Sequence, residues 1–146
     1  MIGLVQRVAQ ASVEVEGRRL GQIGPGLLVF VCGEPADGPA QVQRFVAKLL
    51  KLRIFGDEQG RMNRSLQDVG GGLLIVSQFT LAADTRSGNR PGFSAAAAPE
   101  QGRLLYEAVL AEARRHHPIV EQGEFGAHMR VQLLNDGPVT IPLHIA

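Results

Sequence analysis

The C-terminal part of the chain alternates apolar and polar residues with a period of two, and this pattern restricts the fold more than any other. Every second residue is apolar between residues 125 and 133, and the alternation returns from Val139 to Ile145. A period of two places successive side chains on opposite faces of a strand, so both segments predict half-buried β-strands. Pro142 cannot donate a ladder hydrogen bond, which predicts that the last strand lies at an edge or pairs irregularly.

Further strands and two helices are predicted upstream. Apolar runs and alternations predict strands at Ile2–Val8, Ser12–Glu16, Leu27–Cys32, Ile54–Phe55 and Leu73–Val76. One helix is predicted from helical spacing of Val42, Phe45, Val46, Leu49 and Leu50. A second begins near Pro99, with a predicted buried stripe of Leu104, Leu105, Ala108 and Val109. The pattern predicts a single α+β domain over residues 1–146, mostly antiparallel and with two long helices.

Composition and charge limit the compartment in which the protein is expected and the kind of RNA contact that it could make. The single cysteine, Cys32, lies in an apolar run, so we expect a buried thiol, no internal disulfide and a reducing compartment. No signal-peptide pattern and no apolar run of about 18 residues occurs, so a cytoplasmic protein without a membrane segment is expected. The net charge of +1 fits a transient encounter with RNA better than a stable complex.

Common cofactor motifs are missing from the sequence. The four histidines have no metal-ligand spacing and no cysteines beside them, so no metal is expected. There is no Gly-x-Ser-x-Gly segment and no glycine pattern for a dinucleotide. Gly70–Gly72 precede a strand rather than a helix, which favours a turn over a phosphate loop. The sequence therefore predicts chemistry without a cofactor.

Two short segments carry polar groups at places where a site could form. Ser77-Gln78-Phe79-Thr80-Leu81 follows a predicted buried strand and brings two hydroxyls and an amide to its end. Asn135-Asp136-Gly137-Pro138-Val139-Thr140 lies between two predicted strands. Taken singly, the first is typical of a strand-end cap and the second of an ordinary turn.

Both segments together, with Arg7 in Val5-Gln6-Arg7-Val8, resemble the D-aminoacyl-tRNA deacylase family. The resemblance runs nearly end to end and includes Ala11-Ser12-Val13, Gly24 to Leu28, Arg53-Ile54-Phe55, Met62-Asn63, Ala82-Ala83-Asp84-Thr85, Arg90-Pro91, Leu105-Tyr106 and Phe125-Gly126-Ala127. Two positions depart from the family pattern: Gly92 replaces the usual Ser, and His128 replaces the usual Asp. Gly92 is expected to loosen a loop near the site, and His128 to lie on the polar side of a strand.

The resemblance implies a barrel-like fold and a homodimer that hydrolyses the ester between a D-amino acid, or glycine, and the 3′ end of tRNA. It implies a cis Gly137-Pro138 peptide that reaches into the partner's pocket and holds the substrate α-amino group with its carbonyls. Rejection of the L side chain would then provide the selectivity.

For the remaining site residues, the resemblance implies substrate contact by Ser77 and hydrogen bonds from Arg7 to the Gly137-Pro138 backbone. Without the resemblance, the sequence pattern indicates only that Arg7 is an exposed strand residue. Backbone N–H groups of Gln78 and Phe79 would stabilise the developing oxyanion.

Thr80 leaves two mechanisms open. As a nucleophile it would need a neighbouring base, and neither histidine nor carboxylate is evident beside it in the sequence. The alternative, which we favour, gives the chemical role to the terminal 2′-OH of the tRNA and a positioning role to Thr80. Two other functions compete with a free-standing enzyme: an editing module that acts beside a synthetase, and a non-catalytic nucleic-acid-binding protein with the same fold.

Overall fold

One long strand, β1 (Ile2–Val15), organises the sheet in the computed structural model, which describes residues 1–146. Three antiparallel partners flank it: β2 (Arg18–Ile23), β3 (Gly26–Cys32) and β8 (Arg130–His144). β3 pairs with the first half of β1 and β2 with the second half, whereas β8 pairs along almost its whole length. β8 pairs with no strand other than β1, so the predicted edge position of the Pro142 strand is confirmed.

The sheet continues in parallel beyond β3, through β6 (Gly72–Ser77) to β7 (Val120–Gln122). Each parallel pair is joined by a helical connection, which contains α1 (Pro39–Lys51) in the first case and α3 (Pro99–His116) in the second. Helical crossovers are the usual means of joining parallel strands. The sheet is therefore mixed rather than purely antiparallel, within the predicted α+β class.

The sheet curls until its two ends approach each other. A Cβ atom on Gly21 of β2 would lie 2.8 Å from the Gln122 carbonyl oxygen of β7, so the backbones meet closely there. This near closure gives the barrel-like shape. A separate hairpin of β4 (Phe55–Gly56) and β5 (Met62–Arg64) precedes the one-turn helix α2 (Leu66–Val69).

Apolar side chains are buried on both faces of the sheet. The larger cluster of 21 residues lies beneath α1 and α3, and Phe45 is fully buried within it. Truncation of such a residue to alanine costs about 3–5 kcal/mol. The smaller cluster has seven buried residues and lies on the other face. No helix combines the length and the apolar character that a bilayer crossing requires.

Two parts of the sequence prediction were wrong in detail. Leu104 and Ala108 point to solvent, and the buried side of α3 is formed instead by Leu105, Tyr106, Val109, Leu110 and Ala113. The alternation between residues 125 and 129 does not form a strand, because the chain turns there with Gly126 at φ +78°. β8 begins only at Arg130.

Candidate active site

A cavity of about 590 Å³ opens where β6 ends against the start of α3, a volume typical of small-molecule sites. Fourteen of its 21 lining residues are hydrophobic. Ser77, Gln78 and Phe79 contribute to its wall, as do Phe93 and Phe125 from two later loops. The cavity thus offers an apolar surface with a few polar groups at one end.

The segment after β6 changes direction sharply and is fixed by hydrogen bonds. The Gln78 N–H donates to the Val31 carbonyl oxygen at 2.8 Å, which extends the β3–β6 ladder by one residue. A 3₁₀ turn, Phe79–Ala82, follows immediately. The Gln78 side-chain amide donates to Thr80 Oγ1 at 2.5 Å. Thr80 itself is exposed and does not line the cavity.

This arrangement changes which backbone amides could stabilise an oxyanion. The Gln78 N–H already donates to the Val31 carbonyl oxygen, so an oxyanion would have to compete with that hydrogen bond. Phe79 and Thr80 occupy the first positions of the 3₁₀ turn, where N–H groups have no acceptor within the turn itself. The N–H groups of Phe79, which lines the cavity, and of Thr80, which is next to it in the chain, are therefore the candidate amide donors.

Aromatic rings cover the mouth of the cavity. Phe79 remains 57% exposed and meets Phe93 edge to face, with ring centroids 5.0 Å apart. On the opposite wall Phe125 packs against Tyr106, and the Arg103 guanidinium lies 5.0 Å from the Phe125 ring centroid. An exposed phenylalanine at a cavity mouth suits a flat ligand group.

Burial shifts the titration of two groups in the cavity wall. It raises the pKa of Tyr106 to about 12, although the hydrogen bond from the Gly123 N–H opposes that rise. Burial, reinforced by the negative charge of Glu34, also raises the pKa of the Cys32 thiol. Both groups are therefore uncharged at neutral pH. Neither supplies a base or a nucleophilic thiolate.

Arg7 and the Asp136–Val139 segment form a second cluster that does not line this cavity. Gln6 pairs with Thr140 and Val8 with Asn135, so four residues of β8 stand opposite the single residue Arg7. These four residues form an excursion from the strand, and the Gly137-Pro138 peptide bond within it is cis.

Side-chain hydrogen bonds support that excursion. Arg7 Nε donates to the Asp136 carbonyl oxygen at 2.8 Å, and Nη1 donates to the Ile54 carbonyl oxygen at 2.7 Å. The Asn135 side-chain amide donates to the carbonyls of Arg7 and Val139, each at 3.0 Å. The two groups of predicted site residues are thus well defined but lie apart within one chain.

Comparison with known proteins agrees with this architecture. Residues 4–144 match the family described as D-Tyr-tRNA(Tyr) deacylase. The chain belongs to that family. A D-aminoacyl-tRNA deacylase of Paracidovorax citrulli is 64% identical over 146 residues, which cover 100% of this chain and 94% of the relative. A D-aminoacyl-tRNA deacylase of Methylibium petroleiphilum is 66% identical over 143 residues, covering 98% and 94% respectively.

Solved structures show the same fold. The c-Myc DNA Unwinding Element Binding Protein superposes with a TM-score of 0.94 at 39% identity, covering 99% of this chain and 98% of that one. A probable eukaryotic D-amino acid tRNA deacylase gives a TM-score of 0.82 at 18% identity, covering 97% of both chains. The second likeness concerns the fold alone.

The two departures from the deacylase-family pattern have different surroundings. Gly92 exchanges two backbone hydrogen bonds with Asp84, at 2.8 and 3.0 Å, which tie the base of the loop between them. A Cβ atom on Gly92 would meet nothing within 4 Å. His128 lies in the turn before β8 and lines the cavity, so the expectation that it belongs to the polar side of a strand was wrong.

Several cavity residues of this deacylase-family chain were not foreseen from the sequence. Met1, Phe93 and Met129 line the cavity because the tertiary fold brings distant segments together. No local periodicity marks Met1 or Phe93, and the alternation that contains Met129 predicts a strand rather than a cavity wall. The position of Phe93 after a polar loop was the one visible signal. No group of three or more His, Cys, Asp or Glu side chains is arranged to hold a metal ion.

Proposed function

We propose that this protein hydrolyses D-aminoacyl-tRNA, releasing the D-amino acid and tRNA, and that it spares L-aminoacyl-tRNA. The observation that carries the proposal is the match to the deacylase family over residues 4–144. Support comes from Ser77, Gln78 and Phe79, which line an apolar cavity large enough for a terminal nucleoside. Glycyl-tRNA would be a second substrate, because glycine has no side chain to be rejected. The protein would act in the cytoplasm, where charged tRNA is used.

The separation of the two clusters supports a homodimer. The Gly137-Pro138 excursion does not line its own cavity, so it can contribute to catalysis only by reaching a second subunit's cavity. β8 is a 15-residue edge strand on which Val131, Leu133, Ile141 and Leu143 stay partly exposed. Burial of such a strand against a second copy would cover both its apolar side chains and the unpaired strand edge.

In the proposed site, carbonyl oxygens of the partner subunit's Gly137-Pro138 segment bind the substrate α-ammonium group. The D side chain then points towards solvent, whereas an L side chain at the same carbon meets the protein wall. This mechanism selects by steric rejection. It explains how one site accepts many D-amino acids, since no pocket is needed for the side chain.

The chemical step would use positioning and backbone donors rather than an amino-acid nucleophile. Phe79 and Thr80 N–H groups would donate to the carbonyl oxygen as it becomes an oxyanion, and loss of such a donor typically costs about 10²–10³ in rate. The terminal 2′-OH of the tRNA assists attack on the ester carbonyl. The acyl C–O bond breaks, the 3′ oxygen of the tRNA takes a proton, and water supplies the second oxygen of the released carboxylate.

The decisive experiment compares D-tyrosyl-tRNA with L-tyrosyl-tRNA as substrates of the purified protein. We expect the D ester to be cleaved on the order of 10² times faster or more, since rejection by a rigid wall is costly. Comparable rates would overturn the stereochemical proposal. Binding of tRNA with no cleavage of either ester would instead favour the non-catalytic nucleic-acid-binding alternative.

A further inference from the structure

A second, shallower groove lies at the C-terminal end of α1, on a part of the surface with no role so far. It measures about 460 Å³ and is lined by Arg44, Ala47, Lys48, Lys51, Leu52, Arg53 and Ile145. Four of these seven residues are cationic and none is acidic. Since the whole chain carries a net charge of only +1, this is a local concentration of positive charge.

The position of the cations follows from the helix. Arg44, Lys48 and Lys51 are spaced at i, i+4 and i+7, so they project from one face over about 10 Å. Cations in the last turn of a helix interact favourably with its dipole, which is a structural reason for Lys48 and Lys51. The dipole does not explain Arg44 in the middle of α1 or Arg53 beyond its end.

The four cations are not neutralised by acidic side chains. None of them forms an ion pair with an aspartate or a glutamate. Arg44 donates to a main-chain oxygen of Ala146 at the end of the chain, which compensates part of its charge, and Arg53 donates to the main-chain and side-chain oxygens of Asn63. Asp68 is the acid influenced by Arg53, but its carboxylate already accepts the Ser65 N–H. Lys48 and Lys51, which form no ion pair, are therefore free to bind an anion.

One residue of the groove, Arg53, adjoins a residue that helps to hold the Gly137-Pro138 excursion. Arg53 directly precedes Ile54, whose carbonyl accepts Arg7 Nη1 at 2.7 Å. Arg7 in turn holds Asp136 at 2.8 Å. Arg7 therefore links the chain segment that carries Arg53 to the excursion.

We propose that this basic groove binds the phosphate backbone of the tRNA acceptor stem whose 3′ end occupies the partner subunit's cavity. The proposal rests on the deacylase function and the dimer proposed above. Lysine and arginine side chains along one helix face suit successive phosphates, whose contacts carry affinity without sequence preference. One subunit would provide the cavity, and the other would provide both the excursion and the surface for the stem.

An unusual feature of the composition allows a direct test. Lys48 and Lys51 are the only lysines in the chain. An amine-reactive acetylating reagent, read by mass spectrometry, therefore reports on this groove alone among the side chains. Deacylated tRNA, which carries no amino acid, is expected to slow the modification of both lysines at low salt. This protection is expected to disappear at high salt. Equal modification with and without bound tRNA would overturn the proposal.

Kinetics provide the second test. In Lys48→Gln/Lys51→Gln, kcat/KM for D-tyrosyl-tRNA is expected to fall about tenfold through KM, and the log–log salt dependence to become shallower by about 2. Cleavage of D-tyrosyl-adenosine, which keeps the ester but lacks the phosphates, is expected to be unchanged. Arg18→Gln/Arg115→Gln removes the same charge elsewhere, with Arg115 also in the last turn of a helix, and is the matched control.

The outcomes separate the two proposals. Unchanged tRNA kinetics in the lysine variant, an equal loss on D-tyrosyl-adenosine, or an equal loss in the arginine control would each overturn the groove assignment. If the wild-type protein cleaves neither substrate, the deacylase function fails, and the protection of the lysines by tRNA still decides the groove.

Discussion

Arg7 holds the Asp136 carbonyl at 2.8 Å and the Ile54 carbonyl at 2.7 Å with two different nitrogens of one guanidinium. Its side chain is only 17% exposed. Four residues of β8 leave the ladder opposite this single residue, so the excursion lacks the strand pairing that would otherwise fix it. The planar guanidinium of Arg7, which has several hydrogen-bond donors, replaces that pairing.

Replacement of Arg7 tests whether its guanidinium positions the excursion. In Arg7→Lys the charge remains, but one ammonium group cannot reach both carbonyls in the same geometry. We expect the fold to survive and D-aminoacyl-tRNA cleavage to fall about 10²-fold, the cost of a small misplacement in a catalytic site. Arg19→Lys, on β2, is the matched control and should retain full activity. Unimpaired cleavage by Arg7→Lys would show that Arg7 does not position the excursion.

Complementation tests whether the excursion acts across subunits. A Cβ atom on Gly137 would lie 2.4 Å from the Val139 nitrogen, so Gly137→Ala should distort the excursion. Ala96→Trp should fill the cavity, since Ala96 lines it. Each variant alone should be inactive. Random mixed dimers should recover about a quarter of wild-type activity, because half are mixed and each has one intact site. No recovery after co-refolding would contradict the cross-subunit arrangement.

Secondary structure was predictable wherever the apolar spacing within one element matches the side that the fold buries. The apolar spacing in α1 matches its buried residues, and the run Leu27–Cys32 corresponds to β3. Prediction failed where tertiary contacts override the period. Phe125 packs on Tyr106 and Gly126 takes a positive φ, which ends the strand pattern before Arg130.

The candidate site was predictable in part for the same reason. Ser77 ends the buried strand β6, Gln78 and Phe79 follow it, and all three could be located by motif and resemblance. The sequence could not show which backbone N–H groups are free to stabilise an oxyanion, because this depends on whether the Gln78 N–H continues the strand ladder to Val31. The opposite wall, with Phe93 and His128, comes from segments remote in sequence.

Tyr106 offers a spectroscopic test, because it is the only tyrosine in the chain. Its hydroxyl donates to the Ile75 carbonyl at 2.8 Å and accepts the Gly123 N–H at 3.2 Å. Burial raises its pKa from 10.0 to about 12. The phenolate absorbance of the native protein should therefore titrate near pH 12, and that of the denatured protein near pH 10.

The same shift predicts how stability depends on pH. Since the folded-state pKa of Tyr106 is the higher one, its contribution is complete below pH 10 and is lost as the pH rises towards 12. Tyr106→Phe should lower the free energy of unfolding at neutral pH by about 1–3 kcal/mol, because two buried partners lose their bond. Denaturant titrations at several pH values measure both effects. A native titration near pH 10 would contradict the buried geometry.

Glu34 should control stability on the acid side. Burial opposes its ionisation, but hydrogen bonds from the Met1 α-ammonium group, at 2.6 Å, and His144, at 2.8 Å, outweigh burial and lower its pKa from 4.5. Its contribution is therefore present above pH 4.5 and is lost as the pH falls through the folded-state pKa. Glu34→Gln should destabilise the protein at pH 7, with a difference from wild type that shrinks in acid. A pH-independent difference would exclude this charge network. Glu58→Gln, on a 90% exposed side chain, is the control.

Thr80 decides between the two mechanisms. Its hydroxyl accepts a hydrogen bond from the Gln78 side-chain amide at 2.5 Å, and no histidine or carboxylate is bonded to it. A hydroxyl nucleophile needs a base within hydrogen-bond reach. Thr80→Ala keeps the backbone N–H, so it should retain kcat within about tenfold of wild type if that amide is the contributing group.

The tRNA supplies the complementary test of Thr80. A D-aminoacyl-tRNA with a terminal 2′-deoxyribose should be cleaved by the wild-type protein on the order of 10² times more slowly, the typical loss of a positioned acid–base group. If Thr80 were the nucleophile, Thr80→Ala would abolish turnover and the deoxy substrate would react normally. Rapid quenching and mass spectrometry of the wild-type protein would then find an acyl group on Thr80 Oγ1. Because that oxygen is bonded to an amide donor rather than to a base, we expect no such adduct.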